Sequence, residues 1–242
     1  MAGRKTWHEV SGDGDPVVLL HGGFAGASSW GGQAPALAQA GYRVYIPERR
    51  GHGHTPDVAG PLTYSVMADD TIAYLDQVIG GPAHLVGWSD GAVVALLAAQ
   101  RRPDLAARLV LIGQYYNSAG RAADGLLDAI LSSSPEVMDF LREEHDRVSP
   151  DGPEHFPVFY EKMLAMFRSE PELDLAGLAA VDVPALILQG DRDEVTVQHS
   201  AAVAGVLPQG RLAVLPGSHL LPVEHPALVS ALLLTFLQGG FG

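Results

Sequence analysis

The sequence contains no cysteine among its 242 residues, which excludes a disulfide framework, a thiol nucleophile and a cysteine-built zinc site. Basic residues are scarce: 15 Lys and Arg stand against 28 Asp and Glu, a formal net charge of −13. A chain this acidic is repelled by nucleic acid and by anionic membrane surfaces over about 8 Å, the screening length in physiological salt, so neither is an expected partner. Nowhere do about 18 apolar residues run uninterrupted, and no membrane span is expected. The start, Met1 to His8, is positively charged without an apolar stretch behind it, unlike a secretory signal. The chain is therefore expected in the cytoplasm. Internal repeats and low-complexity tracts are also missing.

What is present is the pattern of a folded domain. Hydrophobic residues make up 47% and charged residues 18%, enough at this length for one core, with or without an insertion. Trp7 to Val10 reads as an edge strand. Short apolar runs bounded by turn residues follow at Val17–Leu20, Tyr42–Ile46, Ala83–Val86, Arg108–Gly113, Ala185–Leu188 and Arg211–Leu215. Helical stretches separate them, at Gln33–Ala40, Tyr64–Ile79, Ala92–Ala99, Gln198–Val206 and Pro226–Leu237. This alternation predicts an α/β fold, a mostly parallel central sheet with helices on both faces. In the Tyr64–Ile79 helix, Val66, Ile72, Leu75, Val78 and Ile79 are expected toward the sheet, and Asp69, Asp70 and Asp76 toward water.

From Gln114 to Asp182 the rhythm breaks. No strong strand run occurs, and helical stretches are punctuated by Ser134-Pro135 and Asp151-Gly152-Pro153, with a helix expected to begin at Ser134. Residues 114–182 thus read as a helical insertion, leaving 1–113 and 183–242 as the core. Within it Phe156, Phe159, Tyr160, Met163, Met166 and Phe167 recur at helical spacing, a stripe that packs a helix face and can also line a pocket.

The strongest chemical signal is Gly87-Trp88-Ser89-Asp90-Gly91, between a strand and a helix. A serine raised on so sharp a turn needs glycine on either side, because side chains there would meet neighbouring backbone. Ser89 is read as a nucleophile. It needs a base to take its proton, and the base needs a carboxylate to hold its tautomer. Asp193 and His219, each in a loop after a late strand, supply these in the order Ser, Asp, His. Asp191 is the rival acid, in Gly190-Asp191-Arg192-Asp193, and His225 the reserve base. The backbone N–H groups of Phe24, in the Gly-rich exit His21-Gly22-Gly23-Phe24, and of Asp90 are the expected oxyanion donors. His52 and His54 have an H-x-H spacing, but with no further ligand at convincing distance they read as loop histidines. Neither a metal nor a cofactor is expected.

Together these strings resemble the α/β-hydrolase family over nearly the whole chain. His21 to Phe24 is similar to its oxyanion loop, Arg50-Gly51-His52-Gly53 to its R-G-x-G motif, Gly87 to Gly91 to its nucleophile elbow, Gly190 to Asp193 to its acid loop, and Gly217-Ser218-His219 to its histidine loop. One departure is Glu48, where many members carry Asp. The resemblance implies that 114–182 is the lid, and Ser89 argues against the dehalogenase and epoxide-hydrolase members, whose elbow carries Asp. The G-W-S-D-G string is shared with biphenyl-hydrolase-like, valacyclovirase-type esterases, which implies that Asp90 could hold a substrate ammonium; the plainer reading is a favourable interaction with the helix dipole.

The expected function is hydrolysis of small carboxylic esters through an acyl-enzyme, with Trp88, Asp90, Tyr115, Phe159 and Met163 facing a small-molecule ester and room for a homo-oligomer. Two alternatives remain open. A C–C bond hydrolase, lactonase or perhydrolase keeps the same triad, and a small-molecule receptor can retain one without turnover.

Overall fold

The computed structural model describes residues 5–122 and 125–241. The chain runs β1 (His8–Ser11), β2 (Asp15–Leu20), α1 (Gln33–Gln39), β3 (Tyr42–Pro47), α2 (Tyr64–Tyr74), β4 (Ala83–Trp88), α3 (Asp90–Arg101) and β5 (Ala106–Ile112). It continues through α4 (Leu126–Leu131), α5 (Pro135–Val148), α6 (Phe156–Ser169), β6 (Ala185–Arg192), α7 (Val197–Val206), β7 (Gly210–Ser218), α8 (Leu221–Glu224) and α9 (Pro226–Leu237). The strands form one seven-stranded sheet in the order β1-β3-β2-β4-β5-β6-β7. Only β1 is antiparallel to its neighbour.

The continuous apolar runs have a physical reason. Because strand side chains alternate between faces, a strand covered on both sides must be apolar at every position. Val17, Leu19, Val86, Val110, Ile112, Leu186 and Leu188 enter one core with Leu37 of α1 and Val229, Leu233 and Phe236 of α9. Val18, Leu20, Leu85, Leu109, Leu111 and Ile187 enter the opposite core with Met67 and Leu75 from the α2 side, Ala92 to Ala99 of α3 and Val203 of α7. All four residues Val17 to Leu20 have 0% exposure.

The α2 region departs from expectation. Its inner face is Tyr64, Met67, Ala68, Thr71, Tyr74 and Leu75, while Val78 is exposed and Val66 and Ile72 are only half-buried. Val66 and Ile72 lie at the edge of the inward stripe of Tyr64, Met67, Ala68, Thr71 and Tyr74, whereas for Val78 the cause is a π turn over Leu75–Ile79, closed by Gly80 N–H donating back to Leu75 O at 2.8 Å. Its wider turn rotates later positions out of the 3.6-residue register.

From β2 the chain moves outward to β3, then crosses back to β4 on the other side of β2. The crevice beyond the carboxyl ends of β2 and β4 is therefore a topological switch point, where open α/β sheets bind ligands. Phe24 leaves one of these strands and Ser89 the other. Helices α4, α5 and α6 fall between β5 and β6, where the strand rhythm breaks in the sequence. Among the described residues, no helix is long and apolar enough to cross a membrane.

Candidate active site

Ser89 sits at the turn between β4 and α3 with φ 54° and ψ −120°, outside the regions L-residues ordinarily occupy. Such a conformation costs about 1–3 kcal/mol and persists only where the surroundings enforce it. Here Ser89 N–H donates to Ile112 O at 2.8 Å, and Ser89 O accepts from Ala92 N at 2.8 Å. The flanking glycines permit the turn: a Cβ on Gly87 would stand 2.2 Å from Gly91 O, and one on Gly91 2.0 Å from Leu20 O.

The turn delivers Ser89 Oγ to His219 Nε2 at 2.9 Å, and His219 Nδ1 donates to Asp193 Oδ1 at 2.8 Å. Both His219 and Asp193 are buried. Burial alone would push His219 down, but the Asp193 hydrogen bond and charge, joined by Glu194 and Asp90, outweigh it and raise its pKa. The rivals are elsewhere. Asp191 is exposed and accepts from Gly217 N at 3.0 Å, while His225 precedes α9 and, among the described residues, Ser89 Oγ is hydrogen-bonded to His219 and not to it.

The Phe24 amide, at φ 56°, and the Asp90 amide, first of α3, leave from the two strands of the switch point. Neither is spent on a protein acceptor among the described residues. The Phe24 loop is held from below by a buried polar layer. Arg49 donates through its guanidinium to His21 O and, at 3.0 Å, to Gly22 O, while its backbone N–H donates to His21 Nε2 at 3.1 Å. His21 Nδ1 then carries the proton and donates to Gly22 O at 2.8 Å. Burial, Arg49 and His52 keep His21 neutral.

Asp90 belongs to this layer. Its carboxylate is enclosed, with Oδ1 accepting from Tyr64 OH at 2.7 Å and Oδ2 shut off from solvent, so it borders the cavity without presenting a free carboxylate to it. Burial raises its pKa, opposed by the charge of Arg49 and the Tyr64 bond. Tyr115 is buried beside the same groups, and burial with the Asp90 charge raises its pKa.

Above the triad lies a cavity of about 760 Å³. Phe24, Phe159 and Phe167 line it, as expected of Phe159. Met163 is fully buried in the core and lies outside the lining, although Phe159 and Phe167, one turn to either side of it on α6, border the cavity. Trp88 borders the cavity, yet its indole packs against Trp30 in the opposite core and donates Nε1–H to His219 O at 2.9 Å. It braces the histidine loop. His52 donates Nδ1–H to Arg50 O at 3.0 Å, and burial lowers its pKa to about 3; His54 pairs with Glu48 at 3.0 Å. Among the described residues no group of three or more His, Asp or Glu side chains converges as metal ligands would.

Three features escape sequence reasoning. The outer wall is built by Leu126, Leu127 and Ile130 of α4 and Val137, Phe140 and Leu141 of α5, two short sets that both have helical spacing but do not show which cavity they face. Tyr64 gives no local sign of its partnership with Asp90. Glu194 lines the cavity 3.5 Å from His219 Nε2, and its only signal is its place directly after Asp193.

Known proteins share this architecture. The chain is 28% identical to 2-hydroxymuconate semialdehyde hydrolase of Pseudomonas sp. (strain CF600), the alignment covering 98% of this chain and 91% of that one. It is 27% identical to a non-heme haloperoxidase of Rhodococcus erythropolis over 98% of this chain and 97% of that one. A thermophilic esterase from Thermogutta terrifontis superposes with a TM-score of 0.72 at 27% identity, covering 97% of this chain and 93% of the esterase. The model of the alpha/beta hydrolase family matches residues 17–232, and with the sheet order and the strand-turn-helix at Ser89 it follows that the chain belongs to the alpha/beta hydrolase family.

Proposed function

We infer that the protein is a serine hydrolase of small, largely apolar carboxylic esters. The observation that carries this reading is the Ser89–His219–Asp193 relay at the foot of an apolar cavity. Ser89 Oγ attacks the acyl carbon while His219 Nε2 takes its proton. Asp193 holds the His219 tautomer and balances the imidazolium. The Phe24 and Asp90 amides receive the developing oxyanion, each such donor contributing about 2.7–4 kcal/mol in enzymes where one has been removed. His219 returns the proton to the leaving alcohol, and water, activated by the same base, releases the acid. Residues 114–182 serve as the lid, with α4 to α6 forming the outer wall that selects the acyl group.

The charge around the cavity favours esters over the anionic substrates of a C–C bond hydrolase. Among the described residues its lining holds Glu9, Glu48, Glu136, Glu144 and Glu194 against Arg147 as the one strong base. An anion such as a muconate would meet repulsion at the wall. Fluorophosphonate labelling and burst kinetics with a p-nitrophenyl ester test the reading. A burst in the wild type that is absent in Ser89→Ala is expected; an unchanged rate in that variant removes Ser89 from the mechanism.

A further inference from the structure

Glu194 holds two parts of the site with one carboxylate. Its Oε2 accepts the N–H of Leu127 at 3.1 Å, in the first turn of α4, while Oε1 lies 3.5 Å from His219 Nε2, the nitrogen that also meets Ser89 Oγ. The side chain is only 12% exposed. Its main chain is engaged as well: Glu194 O accepts from Ala122 N at 2.6 Å, Val195 bridges to Arg121, and Thr196 N donates to Gly120 O at 2.9 Å. Gly125 lies flush on it. A Cβ there would stand 2.5 Å from Glu194 Oε2 and 2.8 Å from Glu194 Cβ, so the backbone at Gly125 limits how far the carboxylate can swing.

We propose that Glu194 is a second positioning carboxylate of the relay, steadying the His219 imidazolium from its Nε2 side and fastening the helical wall to it through Leu127. This rests on His219 being the general base. When Ser89 attacks, its O–H bond breaks, an Nε2–H bond forms and the serine oxygen bonds to the acyl carbon. The imidazolium then has Asp193 at Nδ1 and Glu194 beside Nε2. It later gives the same proton to the leaving oxygen, and Glu194 gains or loses none. The groups facing His219 are Asp193 and Glu194 from the loop after β6, Ser89 and Asp90 from the turn after β4, the Trp88 ring, and uncharged Gly113 after β5. Among the described residues no cation offsets the carboxylates there, so each one favours the charged ring.

The test is Glu194→Gln, which keeps an oxygen for Leu127 N–H and removes the charge. NMR titration of the His219 ring, and the acid limb of kcat/KM on a neutral p-nitrophenyl ester, should both move to lower pH by about one unit, with KM within about twofold of the wild type. Gly125→Ala, which pushes the carboxylate aside without removing it, should move the His219 midpoint the same way, and it serves if the Gln variant fails to fold. An unchanged His219 midpoint in the folded variant overturns the proposal, whether or not turnover falls. If the wild type hydrolyses no ester while the midpoint still moves, the ester reading falls and the coupling of Glu194 to His219 stands.

Discussion

The two walls of the cavity are built in different ways. The inner wall consists of loops leaving the sheet, from β4 and β6 buried within it and from the edge strand β7 paired to β6, so Ser89, Asp193 and His219 inherit their positions from the sheet. The outer wall, α4 to α6, packs Phe156, Met163 and Met166 of α6 into the apolar core and is held besides by a few polar tethers. Asp57 accepts from Lys162 at 2.6 Å and pairs with His155 at 2.9 Å, Tyr160 OH donates to Ile130 O at 2.6 Å, and Arg121 donates to Phe167 O at 2.9 Å. A wall inherited from the sheet cannot be adjusted without unfolding, whereas a tethered one can change by single substitutions. Reaction type should therefore depend on the inner wall and substrate choice on the outer.

Substitutions can break this contrast at either side. Ser89→Ala should lower ester turnover by at least about 10⁴-fold with folding intact, and Asp193→Asn, which permits the wrong His219 tautomer, by about 10⁴-fold in kcat. Steady-state kinetics would check both, and a small loss in either would mean that the inner wall does not set the reaction. Gly91→Ala forces a Cβ against Leu20 O and should cost about 1–3 kcal/mol or more in denaturant unfolding. Tyr64→Phe leaves the enclosed Asp90 carboxylate without its hydroxyl and should cost about 1–3 kcal/mol, which Asp90→Asn in the same background should partly recover.

The outer wall should respond more gently. Lys162→Met loosens α6 from Asp57, and the expected result is a several-fold change in preference across an acyl-length series, with fluorophosphonate labelling of Ser89 unchanged. Equal losses on every chain length would show that this wall does not select. The smallest effect is on pH. In the proposed mechanism His219 acts when neutral, and its pKa is raised, so kcat/KM should fall as pH drops through a midpoint above the ordinary histidine value of about 6.5. The Asp57 tether has the opposite sense. Although burial raises its pKa, the bonds from Lys162 and His155 lower it overall, so its contribution is present above the ordinary aspartate range and is lost as pH falls below it.

Legibility in the sequence follows the same division. Fold, strand ends and the residues at them could be read because two-sided burial writes the inner strands as unbroken apolar runs, and the half-exposed edge strand β7 is still apolar enough to show its end before His219. The direction of a side chain leaving a tight turn is not written locally. Asp90 turns beneath Gly23 to meet Tyr64, and the Trp88 indole goes to the far core with Trp30. The reach of the cavity along a helix face was equally hidden: Phe159, Met163 and Phe167 share one stripe on α6, but the cavity meets Phe159 and Phe167 and leaves Met163 in the core. The π turn that turned Val78 outward has no composition of its own.

The switch point between β2 and β4 also bears on when the site comes into being. Its parts arrive from strands far apart in the chain, Phe24 early, Ser89 in the middle, and Asp193 and His219 near the end. A growing polypeptide exposes the serine long before the histidine has left the ribosome, and a collapsed intermediate that lacks β7 has no base for it. Reactivity of Ser89 toward a fluorophosphonate is thus a folding clock, starting only when the last parallel strand has docked.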